Sequence, residues 1–352
     1  MTASREFIPA KEAQSPFFVG VDLGGTNMKV GVVDDLGRSL SWLSTRTESQ
    51  RGPEDAVGRM ADAVRQAIRE AGLTPDAIAY AGLGSPGTMD ISAGMLLEPV
   101  NLKGWNHFPI RDRLSDQCGL PVAFANDAGA AAFGEFWVGS GRNLASIVLF
   151  TLGTGIGSGI IVGGVSIDGE HSHGAECGHM IIDYSDGARM CGCGRAGHLE
   201  AYASATAVTK RIQEALDAGR ETSLSQRLAE GARLSPKLLD KEAAAGDALA
   251  MEIVMDTARY MGIGVVNLMH TIDPAGILLG GAMTFGGNET ELGRMFLDRI
   301  REEVRQRAFP LLAERTAIEF ASLGGDAGYI GAAGIARHEY LTKRTTRDAP
   351  NQ

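Results

Sequence analysis

The sequence lacks several features that would point to a membrane, secreted or nucleic-acid-binding protein. No apolar run approaches the roughly 18 residues that a membrane-spanning helix requires. The opening segment MTASREFIPAKEAQSP carries two glutamates and has no apolar signal core. The net charge is −10, and no lysine and arginine cluster forms a basic patch that would attract nucleic acid. These absences predict a cytoplasmic protein whose partners are neither membranes nor nucleic acids.

Cysteine is also scarce, with four residues in a chain of 352. This number is too small for a disulfide framework, and the single residue between Cys191 and Cys193 would strain a disulfide between them. Cys118 and Cys177 lie between apolar neighbours and are expected to be structural thiols. For the 191/193 pair, metal binding is the favoured interpretation, and burial as two small residues is the alternative.

Glycine is the residue present in excess, with 47 copies against an average of roughly 7% in proteins. Hydrophobic residues at 44% and charged residues at 22% are otherwise typical of a soluble globular protein. The length favours two domains. Because glycine lets the backbone approach a bound molecule closely, the excess indicates ligand-binding loops.

The order of the predicted elements indicates an α/β protein with an internal duplication. A β-β-β-α-β order is predicted from strands at 17–21, 28–33, 40–47 and 78–83 and a helix that starts at Pro53. The periodicity of this helix places apolar residues, including Val57, Met60 and Val64, on one stripe. The second half opens in the same way as the first, with an apolar strand at 147–150, a glycine turn and a returning strand at 158–162. Two related α/β domains follow from this repeat.

Each repeat carries a glycine turn between its first two strands, and these turns suit a phosphate. In 22-DLGGTN-27, Gly24 and Gly25 expose backbone N–H groups and Thr26 adds a hydroxyl, while Asp22 is suited to hydrated Mg²⁺. The second turn supplies Gly153, Thr154 and Gly155. For either turn alone, phosphate binding and a hairpin turn without a ligand are about equally good interpretations. A pair of such turns, however, can hold one nucleotide from two sides. Neither matches a Walker or dinucleotide motif.

Two polar residues end a short apolar strand in 122-VAFANDAGAAAFGE-135. The residue types alone favour helix capping by Asn126 and Asp127. The alternative places Asp127 at the mouth of the sheet, where ligands collect in α/β folds, as a base that accepts a hydroxyl proton during phosphoryl transfer.

A four-member ligand set surrounds the cysteine pair. His179 precedes Cys191 by twelve positions, and His198 follows Cys193 by five. Two thiolates and two imidazoles are the number and type of ligands that a structural Zn²⁺ site requires. His171 and His173 are spare candidates that are expected to lie in surface loops.

Taken together, these motifs resemble the ROK sugar kinases (repressor, open reading frame, kinase), especially their bacterial glucokinases, from about residue 17 to residue 340. The resemblance rests on eight pieces in the family's order: 22-DLGGTNMK-29, 84-GSPG-87, 99-PVNLKGW-105, 121-PVAFANDAGAAAFGE-135, 151-TLGTGIGSG-159, 176-ECGH-179, 191-CGCGRAGHLE-200 and 280-GGAM-283. It implies an α/β fold of the actin-like, ribonuclease-H-like ATPase type, with two α/β domains around a cleft.

Domain boundaries follow from this expected fold. A flexible lead is predicted at 1–16, and a small α/β domain at 17–125 that the C-terminal helix at about 326–342 completes. A large α/β domain is predicted at 126–325, with a zinc-binding insert at about 163–200.

The resemblance also implies ATP-dependent phosphorylation of a hexose at its 6-hydroxyl, most often glucose, with Mg²⁺ and a structural Zn²⁺. Asp127 becomes the catalytic base, which reverses the preference for capping. The implied hexose ligands are Asn101, Asn126, Asp127, Glu176, His179 and Glu200. The implied ATP and Mg²⁺ contacts are Asp22, Gly24, Gly25, Thr26, Lys29, Gly153, Thr154, Gly155, Gly280 and Gly281. The implied zinc ligands are His179, Cys191, Cys193 and His198.

His198 departs from the family pattern, which usually has a third cysteine at this position. Zinc accepts imidazole as well as thiolate, so the expected site becomes Cys₂His₂. Other hexoses (N-acetylmannosamine, fructose, allose), polyphosphate as donor, and a sugar sensor without catalysis stay open as alternatives. A ROK repressor is disfavoured because only about 16 residues precede the first strand. A homodimer or homotetramer is expected from the resemblance.

Overall fold

The computed structural model describes residues 5–99 and 102–348, which form two compact units. Unit 1 contains the described residues up to Asn143, then Gly159–Ala175, and the chain from Leu323 onward. Unit 2 contains Leu144–Ser158 and Glu176–Ser322. Within the described ranges, no helix has the length and apolarity needed to cross a membrane.

The described residues contain twelve strands and eleven α-helices, joined by loops and short 3₁₀ turns. The strands are Phe17–Leu23 (β1), Asn27–Val33 (β2), Ser39–Arg46 (β3), Ile78–Ser85 (β4), Met89–Asp90 (β5), Met95–Leu96 (β6), Val122–Asn126 (β7), Ser146–Leu152 (β8), Ile156–Val162 (β9), Val165–Ser166 (β10), Gly276–Gly281 (β11) and Ala317–Phe320 (β12). The helices are Pro53–Glu70 (α1), Ile110–Cys118 (α2), Asp127–Trp137 (α3), Glu200–Ala203 (α4), Ala205–Asp217 (α5), Ser223–Ala229 (α6), Pro236–Ala244 (α7), Ala248–Ile272 (α8), Glu291–Arg307 (α9), Pro310–Arg315 (α10) and Ala327–Asp348 (α11).

The sheet of unit 1 has the strand order β3-β2-β1-β4-β7. Its first three strands form an antiparallel meander, whereas β1, β4 and β7 run parallel to one another. Helix α1 begins with Pro53 at its first position and buries the apolar stripe predicted from its periodicity, including Val57, Met60 and Val64. The sequence-based prediction of this α/β half is confirmed.

Helix α11 packs directly on this sheet through two strand glycines. A Cβ built on Gly20 would lie 1.7 Å from the Tyr329 carbonyl oxygen, and one on Gly82 would lie 1.9 Å from the Ala332 carbonyl oxygen. Any side chain at either position would therefore push α11 away from β1 and β4. These glycines contribute to the excess noted in the sequence without binding a ligand.

The second sheet has the order β10-β9-β8-β11-β12, with β8, β11 and β12 parallel. In the same unit, the long helix α8 packs against α9 through Gly262, where a Cβ would lie 2.6 Å from the Glu303 Cβ. The missing side chain at Gly262 therefore lets the two helices approach closely. The mixed α/β sheets and the two units fit the actin-like ATPase fold that the sequence predicted.

Two features differ from the predicted domain boundaries. Helix α3 falls in unit 1, whereas the predicted boundary lay at 125/126, because α3 packs closely on α11: a Cβ on Gly331 would lie 1.6 Å from the Ala130 carbonyl oxygen. The insert predicted at 163–200 also divides at Ala175 and Glu176 between the two units.

The described part of the predicted flexible lead is bonded to the β2–β3 hairpin. The Ile8 N–H donates to the Ser39 carbonyl at 3.0 Å, and the Gln14 N–H donates to Asp34 Oδ2 at 3.1 Å. Arg38 returns a hydrogen bond to the Glu12 carbonyl at 3.0 Å. Backbone hydrogen bonds and the buried Asp34 carboxylate thus fix the described part of this segment on the hairpin. Its polar composition alone did not predict these contacts.

Candidate functional site

In unit 1, three parallel strands end at the same edge of the sheet and bring candidate residues together. Asp22 of β1 lies opposite Gly84 of β4, and Ser85 lies opposite Asn126, the last residue of β7. Asp127 follows as the first residue of α3, and Gly84 approaches it closely, since a Cβ on Gly84 would lie 3.7 Å from the Asp127 Cα. This carboxyl edge is where α/β sheets bind ligands.

The structure separates the roles of the two adjacent polar residues. Asn126 is the N-cap of α3, and its Oδ1 accepts hydrogen bonds from the Ala128 and Gly129 N–H groups at 2.9 and 3.3 Å. Asp127 is half-buried, and its Oδ1 accepts from the Ala128 N–H at 2.8 Å. Because Asn126 performs the capping, the carboxylate of Asp127 lies in the first turn, where the helix dipole favours negative charge.

The first glycine turn is closed by its own backbone and supported by one buried side chain. The Gly24 N–H donates to the Asn27 carbonyl at 3.0 Å. Thr47, fully buried, donates its hydroxyl to the Gly24 carbonyl at 2.6 Å and its N–H to the Thr26 carbonyl at 2.8 Å. Gly25 and Thr26 are exposed at the tip. Sequence reasoning missed Thr47, because nothing local marks a threonine 23 positions away as the partner of this turn.

Asp22 lies beside this turn in a mostly buried position. Its burial raises the pKa of the carboxyl group, and the charge of Lys29 and its hydrogen bond act in the opposite direction. Lys29 Nζ lies 3.4 Å from Asp22 Oδ2 and donates to the Gly325 carbonyl at 2.7 Å. The two predicted cofactor contacts, Asp22 and Lys29, therefore form an ion pair.

The second glycine turn belongs to unit 2 and rests on the start of helix α5. The Gly153 N–H donates to the Gly155 carbonyl at 3.0 Å, and the Ala205 N–H donates to the Gly153 carbonyl at 2.9 Å. The Thr206 hydroxyl donates to the Thr154 carbonyl at 2.8 Å. In both turns the N–H of the first glycine donates to a carbonyl further along the turn, which supports the duplication predicted from sequence. That carbonyl lies three residues later in the first turn and two residues later in the second, and the supports of the two turns also differ.

Gly280 and Gly281 lie next to this second turn. Gly281 pairs with Leu152, and at its φ of +92° a Cβ would lie 2.4 Å from the Leu152 carbonyl oxygen. Only glycine fits a positive φ with such a close neighbour. The structure thus brings together both glycine segments predicted for the nucleotide in unit 2.

The four predicted zinc ligands converge in unit 2. One potential ligand atom from each of His179, Cys191, Cys193 and His198 lies within 4.8 Å of all the others. His198 Nδ1 lies 3.2 Å from His179 Nδ1 and 3.3 Å from Cys193 Sγ, and Cys191 Sγ lies 3.8 Å from His179 Nδ1. Zn–N and Zn–S bonds at tetrahedral angles separate ligand atoms by roughly 3.3–3.8 Å. The donor set and its spacing therefore fit a tetrahedral zinc ion.

Burial shifts the pKa values of Cys191 and His198 in this cluster. Burial, with contributions from Cys193 and the charge of Glu200, raises the pKa of the Cys191 thiol to about 11. Burial and the neighbouring His179 lower the pKa of His198. Since a divalent cation favours thiolates and neutral imidazoles, its binding would release thiol protons.

His179 presents its two ring nitrogens in different directions. Nδ1 belongs to the ligand cluster, whereas Nε2 lies 4.0 Å from Glu176 Oε2. A metal on Nδ1 would fix the orientation of the ring and leave Nε2 beside Glu176.

Glu200 connects the metal cluster to the second glycine turn. Its Oε2 accepts from the Ile156 N–H at 2.8 Å, and its Oε1 lies 3.5 Å from Cys191 Sγ. A Cβ on Gly155 would lie 2.3 Å from Glu200 Oε2. The resemblance assigned Glu200 to the hexose alone, and its contact with the turn was missed. Asn101, another predicted hexose ligand, lies outside the described residues.

Comparison with known proteins agrees with this geometry. The ROK family model matches residues 18–339. A glucokinase from Halalkalibacterium halodurans is 31% identical over 92% of this chain and 96% of that protein. The crystal structure of a ROK family glucokinase from Streptomyces griseus in complex with glucose and AMPPNP is 32% identical, covers 92% of this chain and 99% of that chain, and has a TM-score of 0.74.

The chain is also similar to a protein of another kind, the xylose repressor of Caldicellulosiruptor bescii, which is 27% identical over 92% of this chain and 79% of that protein. The family model matches nearly the whole chain, and the Halalkalibacterium halodurans glucokinase is more than 30% identical over 92% of it. The chain belongs to the ROK family.

Proposed function

We propose that this protein is an ATP-dependent glucokinase that phosphorylates glucose at its 6-hydroxyl. The observation that carries the proposal is Asp127, a first-turn carboxylate next to the N-cap residue Asn126, on the sheet edge that also holds Asp22. Full-length similarity to glucokinases, one of them bound to glucose and AMPPNP, supports glucose and ATP as substrates.

Asp127 acts as the general base in the proposed reaction. Its carboxylate accepts the proton of the 6-hydroxyl, and that oxygen forms a bond to the γ-phosphorus while the bond from the γ-phosphorus to the β,γ-bridging oxygen breaks. Glucose 6-phosphate and ADP are the products.

The glycine segments hold the phosphates of ATP. The turn at Gly24, Gly25 and Thr26 contacts the phosphates, with the Gly25 and Thr26 N–H groups and Lys29 as donors, since the Gly24 N–H closes the turn. Gly153, Thr154 and Gly155, with Gly280 and Gly281, are the further proposed nucleotide contacts. Asp22 supplies one carboxylate to hydrated Mg²⁺, a donor set that suits this ion when phosphate oxygens complete its shell.

Polar side chains hold the hexose hydroxyls. The proposed contacts are Asn101, Asn126, Asp127, Glu176, His179 and Glu200. Because Asn126 uses Oδ1 on the helix, its amide nitrogen is the group available to a hydroxyl. Zinc on His179, Cys191, Cys193 and His198 would supply a structural cross-link that orients His179 and the neighbouring Glu200.

A coupled assay with glucose, ATP and Mg²⁺ tests the proposal. Turnover by the wild type and its loss in Asp127→Asn are expected; no turnover, or an unchanged kcat in the variant, would refute it. A panel of glucose, N-acetylmannosamine, fructose and allose, each with ATP or polyphosphate, tests the specificity. The repressor relative motivates a second candidate, a sugar sensor, which predicts sugar binding without phosphoryl transfer. Cytoplasmic location and a homodimer or homotetramer complete the proposal.

A further inference from the structure

Arg5, which precedes the region matched by the ROK family model, makes a specific contact on unit 1. Its Nε lies 3.0 and 2.9 Å from the two carboxylate oxygens of Asp326, and its Nη2 donates to Asp326 Oδ1 at 2.7 Å. The guanidinium carbon also lies 3.6 Å from the ring centroid of Trp42. Paired hydrogen bonds to a carboxylate and stacking on an aromatic ring together fix the orientation of a guanidinium group. An electrostatic attraction alone would not fix its orientation in this way.

The carboxylate that Arg5 binds belongs to a turn that contacts Lys29 of β2. Asp326 ends the 3₁₀ turn Gly324–Asp326, and its N–H donates to the Leu323 carbonyl at 3.0 Å. The Gly325 carbonyl of the same turn accepts the hydrogen bond from Lys29 Nζ. Arg5 is thus connected to Lys29 through a single short turn.

The Gly325 carbonyl is the closer of the two groups that position the Lys29 ammonium. It lies 2.7 Å from Nζ, whereas Asp22 Oδ2 lies at 3.4 Å. Direct ammonium–carboxylate hydrogen bonds are typically about 2.7–2.9 Å long. The position of the turn therefore determines where Lys29 lies relative to Asp22.

We infer that Arg5 is a positioning residue for the phosphate-binding side of unit 1, acting through Asp326 and the Gly325 carbonyl on Lys29. The inference rests on the proposed function for its kinetic consequence, because Lys29 and Asp22 are the proposed phosphate and Mg²⁺ contacts. The N-terminal strap, residues 5–14, fastens Arg5 at a second place through its bonds to the β2–β3 hairpin.

Fold stability depends little on this pair, which makes a positional role separable from a structural one. The side chains of Arg5 and Asp326 are 35% and 23% exposed. Ion pairs at such positions contribute little to stability and are screened by salt. If substitution of Arg5 or Asp326 changes only the reactivity of Lys29 and the KM for MgATP, unfolding therefore does not explain the change.

The test compares Arg5→Ala and Asp326→Ala with the control Arg337→Ala. Arg337 is a close match, since it pairs with Asp35 at 2.8 Å and lies over the Trp137 ring in the same unit, but contacts neither Lys29 nor the 324–326 turn. The first readout is the rate of reductive methylation of Lys29 without nucleotide, followed by mass spectrometry. Loss of the fixed acceptor should raise this rate in both test variants by about 3-fold or more and leave the control unchanged.

The second readout is steady-state kinetics with ATP, Mg²⁺ and glucose. KM for MgATP should rise about 3- to 10-fold in Arg5→Ala and Asp326→Ala, while kcat and KM for glucose change less than about 2-fold. The double charge swap Arg5→Asp with Asp326→Arg should restore both readouts towards wild type. Labelling and KM values equal to those of Arg337→Ala would overturn the inference. Absence of kinase activity in the wild type would refute the proposed function, whereas the labelling result would still decide the role of Arg5.

Discussion

The two units fix their candidate residues by different means. In unit 1, strand register brings Asp22 and Asn126 to one edge, and a helix cap places Asp127. In unit 2, His179 ends a short 3₁₀ turn and Glu200 begins α4, and both side chains contact the cluster of predicted metal ligands, while Glu200 also accepts from the Ile156 N–H. Sheet register and a helix cap thus hold the candidate residues of unit 1, whereas side-chain contacts hold those of unit 2.

Under the proposed function, the base Asp127 lies in unit 1, whereas the hexose contacts His179 and Glu200 lie in unit 2. A residue placed by a buried sheet can be replaced without moving its neighbours, because the core holds the backbone. A residue placed by a metal cluster loses its position when the cluster is disturbed. A substitution at a candidate residue of unit 1 is therefore expected to change a single property, such as kcat. A substitution in the predicted metal cluster of unit 2 is expected to change metal content and glucose binding together.

The largest expected effect is that of Asp127→Asn. Loss of the base should lower kcat by about 10²–10⁴-fold, since that is the usual contribution of a general base. Melting temperature and metal content should stay at wild-type values. Asp112→Asn is the control, as Asp112 is also a first-turn carboxylate of a helix in unit 1. Equal activity in the two variants would remove Asp127 from the reaction.

Disturbing the metal cluster should affect several properties at once. We expect about one zinc ion per wild-type chain by elemental analysis. His198→Ala should lose it and weaken glucose binding by about 10- to 100-fold, since Glu200 and His179 are held by the same cluster.

Two further variants sharpen this prediction. His198→Cys should retain the metal, because zinc accepts thiolate at that corner. His171→Ala, which removes an exposed histidine that the structure leaves outside the cluster, should retain it too. Unchanged zinc content in His198→Ala would show that the fourth ligand is assigned wrongly.

The link between Glu200 and the second glycine turn can be broken by one methyl group. Gly155→Ala should displace the Glu200 carboxylate from the Ile156 N–H and destabilise the fold by about 1–3 kcal/mol, the usual cost of overpacking. Gly153→Ala is the matched change, because its Cβ would meet nothing closer than 4.0 Å. Thermal unfolding of both variants measures the difference, and equal melting temperatures would contradict the contact.

The smallest effect is expected at the support of the first turn. Thr47→Val removes a buried hydrogen bond to the Gly24 carbonyl and should cost about 1 kcal/mol of stability. Ser41→Ala removes a similar buried bond to the Ala67 carbonyl and should cost about the same. KM for MgATP should rise in Thr47→Val alone. An equal rise in Ser41→Ala would mean that general stability, and not the turn, determines the KM.

Much of the fold was predictable because local sequence patterns report local geometry. The stripe of Val57, Met60 and Val64 predicted the buried face of α1, and Pro53 predicted its start. That the four predicted metal ligands lie together was predictable from residue type and close spacing, since three of the four lie within eight positions of one another. The domain division was less predictable, because α3 joins unit 1 through its packing on α11, a helix about 200 positions further along the chain.

The sequence by itself determined the repeated glycine turns, the cysteine and histidine set that suits zinc, and the acidic residue that follows β7. Tertiary structure alone decided that Thr47 supports the first turn, that Glu200 supports the second, and that Arg5 meets Asp326. The physical reason is distance along the chain. Periodicity and turn chemistry act over a few residues, whereas these pairings depend on how sheets and helices pack, which no local pattern encodes.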